Sequence, residues 1–162
     1  MILLRKEAVI LSSFLKFFIL SLEERKAKTE NALAEIESDN VTEEDSNRYL
    51  RKYLEHEFKF FTNNYLQIFL TAQLGKAVVV KGQGPKLYTC DCCEYKTLSK
   101  KGEYFICKVC YWEDDWNIDL NNWSSVNNMT LHEAKENFKK LGFISKKFSN
   151  YIDDDRMIMY EQ

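Results

Sequence analysis

"YTCDCCEYKTLSKKGEYFICKVCYWEDDW", residues 88–116, contains every cysteine of the 162-residue chain: Cys90, Cys92, Cys93, Cys107 and Cys110. Two C-x-x-C pairs, Cys90/Cys93 and Cys107/Cys110, stand 13 residues apart. A tetrahedral zinc ion takes four soft ligands at about 2.3 Å, and two knuckles of this spacing deliver two thiolates each. The expected cofactor is therefore one structural zinc on Cys90, Cys93, Cys107 and Cys110, in a zinc-ribbon-like module. The separation is shorter than the usual interval of about 15–20 residues between such pairs. Cys92 is left over, either as a free thiol or as a ligand in place of a neighbour. Few apolar residues lie between the pairs, so metal binding, on the order of 10–16 kcal/mol when coupled to folding, is expected to hold the module together. Without an ion the four thiols would be neutral residues of a small sheet. An odd number of cysteines fits poorly with a disulfide-bonded secreted domain. A thiol oxidoreductase places its C-x-x-C at the start of a helix in a βαβ setting, which neither pair has.

Working outward, four of the six Gly and Pro residues (Gly75, Gly82, Gly84, Pro85) fall between positions 75 and 85 and mark a boundary. The expected division is a helical domain over 1–78, a cysteine-rich domain over 79–148 and a tail over 149–162. Residues 1–74 contain neither Gly nor Pro. Only the polar "ESDNVT" at 37–42 interrupts them, which predicts a hairpin of two long helices with a break near Thr29. Leu50, Leu54, Phe58, Phe61, Tyr65 and Phe69 recur at helical spacing along the second, about 30 residues long. Beyond the boundary, "AVVVKG" reads as a strand, and further strand pieces are expected at 86–89 and 103–106, joined through "SKKGE". In "NMTLHEAKENFKKLG" Thr130 and Glu133 spell a capping box and Gly142 a stop, so a helix is expected between them. The fold class is α+β: a long-helix hairpin packed with a small zinc-ribbon-like β module and its following helix.

Hydrophobic residues at 45% and charged residues at 30% describe a globular chain rather than a disordered one. A net charge of −2 argues against a basic nucleic-acid coat. The apolar "AVILSSFLKFFIL" at 8–20 carries Lys16 at its centre and falls short of the ~20 residues a membrane span needs. It reads as a buried helix, so no membrane partner is expected, and the cluster of free thiols or metal thiolates makes a cytoplasmic location the expectation.

The cysteine region also resembles a family. Tyr88, Cys90, Cys92, Cys93, Tyr95, Thr97, Leu98, Gly102, Tyr104, Ile106, Cys107, Val109, Cys110, Trp112, Glu113, Asp114 and Asp115, with Asn128, Leu131, Ala134, Asn137 and Phe138, are similar to the bacterial cysteine-rich CPCC domain over residues 86–142. Asp91 and Lys108 replace the family's prolines and Glu94 its glycine, a residue that permits a left-handed turn after the knuckle. The resemblance implies a small bacterial cytoplasmic protein, some of whose relatives belong with polymorphic or contact-dependent toxin systems, where the partner is an immunity protein.

No catalytic fingerprint occurs, and His56 and His132 read as surface or interface residues rather than bases. The chain is expected not to be an enzyme. Lys96, Lys100, Lys101, Lys139, Lys140, Lys146 and Lys147 would be needed for a nucleic-acid face, which keeps a zinc-ribbon nucleic-acid or transcription-associated protein as the alternative. Residues 29–47 carry seven acidic residues, Glu30, Glu35, Glu37, Asp39, Glu43, Glu44 and Asp45, and no basic one. With Glu113, Asp114, Asp115 and Trp116 they are the candidate contact residues for a cognate protein toxin, because complementary charge speeds capture of a basic partner. The expected function is an immunity protein that neutralises a bacterial toxin domain, nucleases being among the candidates.

Overall fold

The computed structural model describes residues 1–34, 43–151 and 153–162. The chain is α+β and divides into two units, Met1–Gly84 and Pro85–Gln162.

In the first unit β1 (Ile2–Leu4) runs into α1 (Arg5–Ile19), followed by α2 (Leu22–Ala34), α3 (Glu43–Phe60), α4 (Asn63–Leu74) and β2 (Val79–Lys81). The two strands pair in parallel, Ile2 opposite Val79 and Leu4 opposite Lys81. The core comes from Ala8, Val9 and Phe17 of α1, Leu50, Leu54 and Phe58 of α3, and Leu66 and Leu70 of α4. The i, i+4, i+8 spacing in α3 is the stripe the sequence displays, and it faces inward as expected.

Among the described residues of this unit, four helices stand where two long ones were expected. The first break is at Leu20, whose extended backbone (ψ 132°) ends α1, so Thr29 lies inside α2. Ser21 then starts α2 with a capping box: its N–H donates to Glu24 Oε2 at 2.8 Å, and Glu24 N–H donates to Ser21 Oγ at 3.2 Å. The second break is at Thr62, which is extended (ψ 155°) and accepts at Oγ1 from Tyr65 N–H. Arg5 closes the end of α3 by donating to the carbonyls of Lys59 (2.9 Å) and Phe61 (2.6 Å) and to Asn63 Oδ1. Carbonyls at a helix C-terminus lack an onward partner in the helix ladder, and the half-buried Arg5 cation placed there meets both the hydrogen bonds and the dipole.

The outward amides of the β2 segment are also covered. Val78 N–H donates to Thr71 Oγ1 and Val80 N–H to Gln67 Oε1, both from α4. β2 therefore lies in the first unit, held there by β1 and α4, rather than opening the second.

In the second unit β3 (Tyr88–Thr89) pairs antiparallel with β4 (Lys96–Leu98), and β5 (Trp123–Ser124) with β6 (Met129–Thr130). Then come α5 (Leu131–Leu141), a 3-10 turn at Lys146–Tyr151 and α6 (Arg156–Met159). Residues 103–106 do not form the expected strand, since Gly102 (φ 68°) and Tyr104 (φ 60°) are left-handed, and only Ile106 bridges to Glu113. The capping box on α5 is present, Thr130 Oγ1 accepting from Glu133 N–H and Thr130 N–H donating to Glu133 Oε2, and Gly142 ends the helix at φ 80°.

Residues 149–162 belong to this unit. Arg156 donates to the carbonyls of Val109 (3.0 Å) and Gly142 (3.1 Å), Tyr111 donates its hydroxyl to Tyr151 O, and Met159 is buried. No helix among the described residues is long and apolar enough to cross a membrane.

Candidate metal centre

The two cysteine pairs adopt the same local structure. At the first, Cys90 N–H donates to Tyr95 O and Cys90 O accepts from Glu94 N–H; at the second, Cys107 N–H donates to Trp112 O and Cys107 O accepts from Tyr111 N–H. All four bonds measure 2.8–2.9 Å. The residue after each pair is left-handed, Glu94 at φ 69° and Tyr111 at φ 68°. That backbone region disfavours a side chain by roughly 1–2 kcal/mol, and neither position has glycine. Glu94 takes this conformation in a knuckle with the same hydrogen bonds as the second, and Lys135 reaches its carboxylate at 3.4 Å.

The knuckles face each other. Cys90 and Cys110 sulfurs are 3.6 Å apart, Cys93 and Cys107 sulfurs 3.5 Å, and all four lie within 4.8 Å of one another. A tetrahedron with metal–sulfur bonds of about 2.3 Å has edges of about 3.8 Å, so the four thiols fit a tetrahedral metal ion. All four are buried, and Cys92, also buried, falls outside the group.

Burial pushes the Cys107 thiol up, but hydrogen bonds from Cys110, Cys90, Cys93 and Thr97 outweigh it and hold Cys107 well below the ordinary thiol range. Thr97 Oγ1 donates at 3.1 Å and Val109 N–H at 3.4 Å. Cys90 is pushed up, chiefly by its bond to Cys107, and Cys110 by burial. A metal cation would favour the thiolate at all four.

The cysteines are part of a larger core than the spacing suggests. Leu98, Val109, Trp112, Leu131, Ala134 and Ile144 are buried with them, and Phe138 and Tyr160 pack against the cluster. Trp112 and Phe138 thus share this core. Ile144 N–H donates to Cys110 O at 3.0 Å, which ties the segment after α5 to the second knuckle.

A charged lock joins the first knuckle to the chain that follows. Lys101 pairs with Asp91, donates to Thr89 O at 3.2 Å and lies 3.7 Å from Asp114 Oδ1. The other oxygen of Asp114 accepts from Gly102 N–H at 2.7 Å. Neither Lys101 nor Thr97 carries any spacing signal in the sequence, because both act across turns.

The expected contact residues separate. Asp114 is 1% exposed and engaged inside the module, so it offers no surface to a partner. Glu113 is half-buried, its backbone N–H and C=O both bonded by the Asn127 side chain. Asp115 accepts from Asn117 N–H, and Trp116 is exposed. Glu30 is exposed on α2, Glu43 and Glu44 open α3, and Asp45 pairs with Arg48 at 3.4 Å. Glu35, Glu37 and Asp39 lie outside the described residues.

Residues 88–156 match the family model described as Cysteine-rich CPCC. No curated protein and no solved structure matches the chain.

Proposed function

We propose that the chain is a cytoplasmic, non-enzymatic immunity protein whose CPCC module is held by a structural zinc ion and which binds and blocks a cognate bacterial toxin domain. The observation that carries the structural, non-catalytic part of this reading is the cysteine centre. Four buried sulfurs within 4.8 Å of one another can fill all four positions of a tetrahedral ion, as in structural zinc sites, whereas a catalytic zinc keeps one position for water or substrate. Cys90, Cys93, Cys107 and Cys110 would hold the zinc, which supplies a cross-link between the knuckles and no chemistry. The module is then a rigid mount for a binding surface, and the toxin context of CPCC relatives supplies the kind of partner by analogy.

Acidic groups support a basic partner. Glu30 on α2, Glu43 and Glu44 in the first turn of α3, and the neighbouring Asp45 lie close in sequence, with Glu113 and Asp115 in the second unit. The nucleic-acid alternative has less support: Lys96 pairs with Glu161, Lys101 with Asp91 and Asp114, Lys135 with Glu94, and Lys139 with Glu136.

The test is co-expression with the adjoining gene product. Growth protection and a stable complex are expected, and replacing Glu43, Glu44 and Asp45 by lysines should slow association about tenfold at low salt. Absence of both protection and complex would refute the reading.

A further inference from the structure

The second unit places large apolar side chains outside its core along one stretch. Tyr104, Phe105 and Ile106 are 58%, 43% and 47% exposed, and Trp116, Ile118 and Trp123 are 62%, 67% and 62% exposed. Side chains of this size are normally inside, and an exposed set of them on a soluble domain marks an interaction surface.

The stretch is built rather than loose. Tyr104 N–H donates to Asp114 O at 3.0 Å and Asp114 N–H donates to Phe105 O at 3.1 Å, which lays residues 104–106 along residues 113–114. Trp116 follows in a left-handed conformation (φ 63°), with its ring against Gly102. A Cβ on Gly102 would lie 2.6 Å from Trp116 Cε3, so glycine there is what lets the indole seat while most of it stays in solvent. Asn127 grips Glu113 from the hairpin that carries Trp123, with both bonds at 2.9 Å. Three exposed groups, from 104–106, 116–118 and 123, are thereby fixed to one backbone ladder.

The charge along them is mainly negative: residues 104–123 hold four carboxylates, Glu113, Asp114, Asp115 and Asp119, against one basic residue, the exposed Lys108. Asp114 is neutralised internally by Lys101, which leaves Glu113, Asp115 and Asp119 beside the aromatic groups. Such a rim repels acidic proteins, nucleic acid and anionic lipid, and it favours a basic protein surface.

We propose that this aromatic ridge, residues 104–123, is the docking surface for a protein partner that presents arginine or lysine together with aliphatic side chains. The proposal deepens the immunity reading, on which it rests for the partner's identity as a toxin. Trp116 and Trp123 act as anchors and the carboxylates select the partner and orient it.

The probes are three synthetic peptides: an arginine–leucine amphipathic sequence, its glutamate–leucine counterpart, and an arginine–serine sequence. Titrated into the intact zinc-loaded protein by calorimetry, the arginine–leucine peptide should bind at least about tenfold more tightly than either of the others. Trp116→Ala with Trp123→Ala should weaken it about thirtyfold or more, as for hot-spot tryptophans. Ile118→Ser, at a 67%-exposed position, should weaken it about tenfold with metal content and Tm unchanged, which separates lost contact from lost fold. Equal binding of the glutamate–leucine or arginine–serine peptide, or unchanged affinity in the Ile118 variant, would overturn the proposal. The adjoining gene product separates the two readings. If it binds the wild-type protein and both variants equally, the ridge is wrong and the immunity reading stands; if it does not bind while the arginine–leucine peptide does, the reverse holds.

Discussion

Thr97, in the middle of β4, donates its hydroxyl at 3.1 Å to the sulfur of Cys107 in the opposite knuckle. A strand that follows the first cysteine pair thus orients a sulfur of the second. Outer partners of this kind typically change metal affinity by about 10–100-fold. Thr97→Val should weaken zinc binding within that range in competition with a chromophoric chelator, and Thr97→Ser should restore it. Unchanged affinity in the valine variant would show that the bond contributes nothing to the site.

The four-sulfur group excludes Cys92 although it is buried beside it. Native mass spectrometry is expected to find one zinc per chain, to lose it in Cys107→Ser and to retain it in Cys92→Ser. The Cys107 change should also unfold the second unit, because the core of Leu98, Val109, Trp112 and Leu131 is arranged around the cysteines. Protein folded without metal after expression in zinc-replete medium would contradict this.

Lys101 lies beside a carboxylate that is 1% exposed. Lys101→Met should destabilise the second unit by about 2–3 kcal/mol, below the ~3–5 kcal/mol typical of breaking a fully buried pair, since Asp114 keeps its bond from Gly102. Adding Asp114→Asn should recover part of that loss. If the double variant melts lower than Lys101→Met alone, Asp114 has a role other than this pair.

Glu24 and Glu133 are each held below the usual carboxylate range, first by the backbone N–H they accept, from Ser21 and Thr130 respectively. A carboxyl depressed in the folded state stabilises fully above its unfolded value of about 4.3, and that contribution is lost as pH falls through the lower folded value. Between about pH 5 and about pH 3 the wild-type Tm should therefore fall more steeply than that of the Glu24→Gln, Glu133→Gln protein. Parallel curves would mean that the caps do not titrate with folding.

Cysteine spacing made the knuckles legible, and the Thr130/Glu133 pair made α5 legible, because each signal lies within a few residues. The same spelling at Ser21 and Glu24 marks the true break after α1, yet the apolar run around it masks the signal. Thr62 is hidden similarly: Phe61 and Tyr65 continue the apolar stripe across it, so periodicity alone cannot show that the backbone stops there. What was illegible is long-range. Arg5 on the carbonyls of Lys59 and Phe61, Lys101 between Asp91 and Asp114, and β1 beside β2 are contacts that only the folded chain creates. Residues 149–162 read as a tail because their anchors, Val109 O and Gly142 O, are backbone groups with no sequence signature.

The parallel pairing of Ile2–Leu4 with Val79–Lys81 gives the first unit a mechanical property. Strands that run the same way, with one leading from the unit's start and the other toward its end, carry a pull between those ends along their length. Tension would therefore load the hydrogen bonds between β1 and β2 together, in shear, before it reached any helix. The four helices behind this short clasp are shielded from stretching until it slips.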